Sequence, residues 1–139
     1  MIQFRNIQQS DLASVFPLLQ QLTNIDYSSR NLEDCWKGFT ENNSSNAIVG
    51  LLDGNIIAYG SVVIENKIRG ELAGHIEDIV VCKSVRNQGI GVELIDKLVE
   101  IGKNRGCYRV TLLCDNALSI FYEKNGFVES GIAMKKIYR

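Results

Sequence analysis

The stretch "SVRNQGIGVELIDKL", residues 84–98, sets two glycines one residue apart behind an arginine, where an apolar run gives way to a helical pattern. Upstream, "LAGHIEDIVVC" (72–82) reads as a strand. Downstream, Ile90, Leu94, Leu98 and Ile101 recur every three or four residues up to Gly106, the pattern of a helix with a glycine stop. A chain that passes here from strand to helix exposes the helix's first backbone N–H groups, which lack intrahelical acceptors and sit at the positive end of the dipole. Glycine at 89 and 91 keeps side chains off those amides and tolerates the angles that turn them inward, and Arg86 adds a formal positive charge. The segment therefore reads as an anion cradle. Its spacing fails both common nucleotide loops: a Walker A loop needs Lys where Val92 follows Gly91, and a dinucleotide fingerprint needs a third glycine where Leu94 stands.

Outward from this junction the periods alternate. "IQFRNI" (2–7) predicts a short strand, and Ser10 or Asp11 caps a helix carrying Leu12, Val15, Phe16 and Leu19, with Pro17 predicting a kink or a late start. "NLEDCWKGF" (31–39) puts Leu32, Cys35, Trp36 and Phe39 at helical spacing, with Trp36 as a core or dimer-interface anchor. "AIVGLL" (47–52) and "IIAYGSVVI" (56–64) predict a hairpin across "DGN", and "NKIRG" (66–70) turns the chain into 72–82, three meandering strands in a row. Strand "CYRVTLLC" (107–114), helix "NALSIFYEKNG" (116–126) and a last strand "FVESGIAMKKI" (127–137) complete the order. The prediction is an α/β chain forming one domain over residues 1–139, with a mixed, mainly antiparallel sheet flanked by helices.

Composition narrows the partners. Fifteen Lys plus Arg nearly balance sixteen Asp plus Glu, so no strong field recruits nucleic acid or anionic membrane, and a small molecule or another protein is the expected partner. No stretch approaches the ~20 apolar residues of a membrane span, and the N-terminus lacks a signal-peptide pattern. A cytoplasmic location is expected. Cys35, Cys82, Cys107 and Cys114 make no C-x-x-C pair, and the single His75 cannot complete a zinc set, so reduced thiols and no metal are expected.

Arg-x-x-Gly-x-Gly at a strand-to-helix junction, with "FYEKNGF" (121–127) about thirty residues on, resembles the GNAT N-acetyltransferases. "GHIEDIVV" (74–81), "RNQGIGVELIDKLVEIG" (86–102), "GCY" (106–108) and "FYEKNGF" together are similar to the branch of that family that acetylates glucosamine 6-phosphate. The likeness covers about residues 74–134; the first third matches poorly apart from Leu22-Thr23. It implies the GNAT acyl-CoA N-acyltransferase fold, acetyl-CoA as cosubstrate, and a homodimer with substrate residues crossing the interface. It also implies coenzyme contacts from the backbones of Ile79, Val80 and Val81 and from Arg86, Asn87, Gln88, Gly89, Ile90, Gly91 and Val92. Thr23, Glu77, Asp78 and the Leu113 carbonyl are implied acceptor contacts, and Tyr122 the implied acid; Lys136 is taken as the contact to the sugar phosphate in place of a family arginine that this chain lacks.

The chemistry agrees with that implication. A lysine-like amine of pKa ~10.4 costs about 4.6 kcal/mol to deprotonate at pH 7 and calls for a strong base, whereas a 2-amino sugar has a lower amine pKa and needs mainly positioning. A phenol of pKa ~10 protonates a thiolate of pKa ~8.5 uphill by only about 2 kcal/mol, so Tyr122 is a competent acid; Leu118 and Phe121 share its helical face and hold it beside the core. Neighbouring strand residues face opposite sides of a sheet, so Glu77 and Asp78 line one pocket only if a β-bulge re-aims one of them; otherwise one reaches substrate and the other braces an interface. Both are expected to touch sugar hydroxyls. His75 reads as a hydrogen-bonded structural histidine.

Three positions depart from the family. Leu113 and Leu118 stand where relatives carry an aspartate and an asparagine, and Ile137 stands where an arginine holds the sugar phosphate, a charge that Lys135, Lys136 or Arg139 would supply. Two other functions remain open on the sequence: acetylation of a protein or polyamine amine, and a non-catalytic acyl-CoA-binding module.

Overall fold

The computed structural model describes residues 1–24 and 29–138. Strands β1 (Gln3–Asn6), β2 (Ser45–Leu52), β3 (Asn55–Asn66), β4 (Leu72–Val81) and β5 (Cys107–Leu112) form one sheet in chain order. The first four strands are antiparallel and β5 runs parallel to β4. That single parallel pair follows from the helix between them, because a crossover is what lets two neighbours point the same way. The β2–β3 hairpin closes through Asp53 (φ 52) and Gly54 (φ 81), the paired left-handed angles of the turn that Asp-Gly favours.

Two helices cover the two faces. The apolar stripe of α3 (Ile90–Asn104) buries Ile90, Leu94, Ile95 and Leu98, and this helix packs against Ile48, Ala58, Val62, Ile64 and Ile76 of the sheet. On the other face α1 (Leu12–Leu19) sets Val15 and Leu18 against Ala47, Val49, Tyr59 and Val80. Each fully buried aliphatic side chain contributes about 1.5–3 kcal/mol relative to exposure, so these stripes fix which face each helix takes. Helix α2 (Leu32–Glu41), capped by the Asn31 side chain accepting from the Asp34 N–H at 3.1 Å, buries no residue fully. Its Cys35, Trp36 and Phe39 instead wall an apolar cavity of about 150 Å³ that also touches Phe16 and Tyr59. Trp36 stacks on Phe39 at 6.3 Å and is half-buried, so it lines this cavity rather than sealing a core.

Several expectations are corrected. Helix α1 starts before Pro17, runs through it and ends two residues later, so there is no late start. Neither Ser10 nor Asp11 is its side-chain cap: a 3₁₀ turn, Gln9–Asp11, precedes it, and the buried Asp11 carboxylate accepts from the Gln8 N–H at 2.8 Å. Arg5 donates to both oxygens of Asp11, at 2.7 and 2.9 Å, which ties β1 to the start of α1. The helix expected over 116–126 divides into a 3₁₀ turn, Asn116–Leu118, and a short α4 (Ser119–Lys124). The largest correction is the last strand. Residues 128–138 form no strand and are exposed, with Val128, Ile132, Met134 and Tyr138 each more than four-fifths accessible.

Candidate active site

Strands β4 and β5 stay paired only as far as Ile76 and Leu112. Beyond that point β4 continues to Val81 with β3 alone beside it, so one edge of residues 77–81 has no strand neighbour. Within this stretch Ser61 pairs with Glu77 and Tyr59 with Val80, leaving Gly60 alone opposite Asp78 and Ile79. Asp78 takes φ 52, a left-handed angle that aspartate tolerates better than most residues. This is a β-bulge, and the extra residue breaks the alternation of faces. Glu77 and Asp78 are accordingly both exposed at the place where the strands part.

The bulge is braced from β3. The Ser61 hydroxyl donates to the Glu77 carbonyl at 3.1 Å. Tyr59 is buried, and burial first, then the negative charge of Asp78, pushes its phenol up to about 12 against the opposing effect of a hydrogen bond with Ser61. Tyr59 therefore stays a neutral hydroxyl next to the bulge carboxylate. No sequence cue points to it, since a tyrosine within "IIAYGSVVI" reads as one more apolar strand residue until the bulge is located.

The end of β4 leads through a 3₁₀ turn, Lys83–Val85, into the glycine loop. Asn87 (φ 66) and Gly89 (φ 78) both turn left-handed, and α3 starts at Ile90. A Cβ on Gly89 would meet nothing within 4 Å, so glycine is required there for its angle and not for room. Gly91 differs: its φ is ordinary and a Cβ would stand 3.6 Å from Phe121 Cζ, a normal contact. The backbone angle thus calls for glycine at 89 and not at 91. The first α3 bond at this end runs from the Glu93 N–H to the Gly89 carbonyl at 3.3 Å, so the amides of Ile90, Gly91 and Val92 lie at the open helix terminus. Arg86 folds back beside them and donates through Nε to the Val81 carbonyl at 3.2 Å. The Val81 carbonyl, among the backbone groups that the resemblance implies for the coenzyme, thus accepts a bond from an exposed side chain of the loop.

Tyr122 is buried on α4, edge-on to Phe121 at 5.1 Å and to Phe127 at 5.8 Å. The Tyr122 carbonyl accepts from the N–H groups of Asn125 and Phe127, both at 3.0 Å, so the short helix is closed around this residue. Burial pushes the phenol above its ordinary value, with Cys114, two residues past β5, adding to the rise. Phe121, its neighbour in sequence, is the side chain nearest Gly91, so α4 stands against the start of α3. Leu118, expected to help hold the tyrosine, sits about half-exposed at the N-cap of α4 instead.

The remaining expected residues are scattered. Thr23 is half-buried in the turn that follows α1, with its N–H on the Leu19 carbonyl at 3.1 Å. Leu113 lies one residue past the last pair of β5 and is 75% exposed. Lys135 and Lys136 are exposed in the tail, where no described hydrogen bond or ion pair draws them to the cleft, and Arg139 lies outside the described residues. His75 is structural as read: Nδ1 meets Thr111 Oγ1 and Nε2 meets Glu65 Oε1, both at 2.9 Å, which joins β3, β4 and β5. Among the described residues no helix is long and apolar enough to cross a membrane, and no cluster of three or more His, Cys, Asp or Glu is arranged to hold a metal ion.

Comparison with known proteins bears on this geometry. Residues 12–127 match the acetyltransferase (GNAT) family. A probable glucosamine 6-phosphate N-acetyltransferase of Oryza sativa subsp. japonica is 33% identical over 142 residues, spanning 96% of this chain and 86% of the relative. The glucosamine 6-phosphate N-acetyltransferase of Dictyostelium discoideum is 32% identical, over 96% of this chain and 88% of its own length. The crystal structure of the Arabidopsis thaliana glucosamine-6-phosphate N-acetyltransferase superposes with a TM-score of 0.91 at 31% identity, covering 100% of this chain and 99% of that one. A parted strand pair, a bulge bearing two acids and a glycine cradle at a helix start thus occur in a chain that belongs to the acetyltransferase (GNAT) family, on the branch of the glucosamine 6-phosphate N-acetyltransferases.

Proposed function

We propose that the protein transfers the acetyl group of acetyl-CoA to the amine of glucosamine 6-phosphate, releasing N-acetylglucosamine 6-phosphate and CoA. The observation that carries this reading is the identity of about a third to glucosamine 6-phosphate N-acetyltransferases along nearly the whole chain. Members of the family draw the acetyl group from acetyl-CoA. The residues present suit that cosubstrate. A pyrophosphate fits the α3 terminus, where the left-handed Gly89 leaves the amides of Ile90, Gly91 and Val92 open and Arg86 adds charge, with Asn87 and Gln88 completing the loop. An amide-rich arm fits the unpaired edge of β4 at Ile79 and Val80.

On this reading Thr23, Glu77 and Asp78 orient the sugar, and the Leu113 carbonyl accepts a hydrogen bond from its amine. The amine nitrogen bonds to the thioester carbon, a backbone N–H near Val80 bonds to the carbonyl oxygen as it gains charge, and the C–S bond then breaks. Tyr122 gives its proton to the departing sulfur while the proton lost by the amine returns through water, so charge balances over the cycle. No step in this scheme calls on a metal.

The assembly is a homodimer. In support, the segment expected as a last strand carries exposed Val128, Ile132 and Met134, with exposed Tyr138 just beyond it, and β5 stands at the edge of the sheet. A second copy offers such a segment the apolar cover and the strand partner that it lacks. Lys136 reaches a sugar phosphate only once this tail is placed.

The deciding assay follows thiol release from acetyl-CoA with glucosamine 6-phosphate, unphosphorylated glucosamine and a lysine peptide as acceptors. Release confined to the sugar phosphate is expected. Equal release with the lysine peptide, or none with any acceptor in a chain that binds CoA, overturns the acceptor assignment.

A further inference from the structure

The turn after α1 and the turn before the glycine cradle are joined by one side chain. Gln21 lies in the turn that closes α1, where its own N–H bonds to the Leu18 carbonyl at 3.0 Å, that of Leu22 to Leu19 at 2.9 Å and that of Thr23 to Leu19 at 3.1 Å. Its backbone is therefore held, and its side chain is half-buried. From there Oε1 accepts from the Lys83 N–H at 3.0 Å, a partner 62 positions away, and Nε2 donates to Cys82 Sγ at 3.7 Å. The sulfur is also 3.2 Å from Ser84 Oγ, and these hydrogen bonds, those of Ser84 first, hold the Cys82 thiol below its ordinary range.

The Lys83 amide is the first N–H of the 3₁₀ turn Lys83–Val85, whose N-cap residue, Cys82, provides no side-chain cap. Such an amide lacks an intrahelical acceptor. Gln21 serves as the missing cap from a distant part of the sequence. The consequence is directional. The Cys82 N–H on the Ile57 carbonyl at 2.7 Å ties the end of β4 to β3, whereas α1 meets β4 through the apolar contacts of Val15 and Leu18 with Val80, which are non-directional. The hydrogen bond at 3.0 Å from the first amide of the exit turn is the directional link between α1 and the turn that leads to residues 86–91.

Resting on the acceptor reading above, we infer that Gln21 is a positioning residue that couples the two substrate sites. It caps the turn leading into the coenzyme cradle while its backbone carries Thr23, two residues on, at the acceptor side. A bound phosphate group that orders residues 83–91 then also orders the α1 turn, and a bound sugar phosphate acts in reverse by linkage. The same amide sets the relative placement of the two substrates.

Gln21→Met keeps the length of the side chain and removes both hydrogen bonds; Cys82→Ala removes the sulfur with its contacts to Gln21 and Ser84 and keeps the bond from the Lys83 N–H. Calorimetry with CoA alone, then with CoA in the presence of glucosamine 6-phosphate, reads each site in a complex that cannot turn over. Hydrogen exchange reads the Lys83 amide directly. Gln21→Met is expected to weaken CoA by about threefold to tenfold, the worth of one net hydrogen bond. It should abolish the mutual enhancement of the two ligands and speed exchange at Lys83 and Thr23, with a Tm within about 3 °C of the unmodified chain. Cys82→Ala should change CoA affinity by less than about twofold. Unchanged CoA affinity in Gln21→Met, or undiminished enhancement, overturns the inference. So does an unmodified chain that turns over glucosamine 6-phosphate yet shows no enhancement. A chain that fails to turn over that sugar while Gln21→Met still loses CoA affinity and Lys83 protection overturns the acceptor reading and keeps the capping role.

Discussion

Replacing Tyr122 by Phe removes one oxygen and nothing else that the structure uses. The ring remains edge-on to Phe121 at 5.1 Å and Phe127 at 5.8 Å, and the backbone bonds that close α4 on residue 122 do not involve the hydroxyl. Stability should therefore change little. Catalysis should not. In water a phenol gives a proton to a thiolate uphill by about 2 kcal/mol, from the difference of roughly 1.5 pK units between them. Burial raises Tyr122 further, so as a free acid it is weaker than that figure implies. The same burial disfavours a naked thiolate leaving beside it, and a positioned donor then lowers the barrier for departure. We expect kcat to fall by about a hundredfold, near 2.7 kcal/mol and at the lower end for a general acid, because the raised phenol delivers less driving force. Steady-state thiol release gives kcat, and calorimetry with CoA gives the affinity, which should stay within about twofold. Because the raised phenol keeps its proton through the neutral range, the unmodified chain should show no loss of kcat up to about pH 9 that is assignable to this group. A loss of kcat below about threefold, or a loss in CoA affinity as large as the loss in kcat, would refute the acid role.

Four further outcomes follow from particular contacts. Gly89→Ala introduces no clash but forces a side chain onto φ 78, so Tm should drop by about 3 °C and CoA bind more weakly, whereas Gly91→Ala should leave Tm within about 1 °C; thermal melts compare them. Asp78→Asn retains a residue tolerant of φ 52 and removes the charge, so the KM for glucosamine 6-phosphate should rise about tenfold with CoA affinity unchanged in calorimetry. Arg5, first through its hydrogen bonds, holds the Asp11 carboxyl below its ordinary value of 3.8, so that contribution to stability is complete above this pH and is lost as the pH falls through the lowered value; Asp11→Asn should flatten the acid side of a Tm-against-pH curve below about pH 4. Deleting residues 128–138 should convert a dimer to a monomer in sedimentation velocity, and a dimer that survives the deletion would show that the tail is not its seam.

What the sequence reveals here depends on how far apart the deciding atoms lie along the chain. Helix α3 and the hairpin at Asp53-Gly54 follow from patterns within a dozen residues, and both stand where the periodicity puts them. The last strand fails for the opposite reason. Apolar residues at 128, 132 and 134 suit one face of a strand, but a strand also needs a neighbour, and among the described residues none pairs with this segment. The adjacent acids at 77 and 78 show the same limit within the site. The family resemblance singles out both, yet only the register of β4 against β3, with Ser61 on Glu77 and Tyr59 on Val80, decides that both are exposed on the same stretch. Gly89 and Gly91 carry the same letter, yet only the first sits at a left-handed backbone angle. Gln21 and Tyr59 were silent in the sequence since each acts on a backbone or carboxylate from another element. Periodicity therefore exposes residues that act through their own helix or strand, while those that align one substrate with the other act across elements and become visible only in the register.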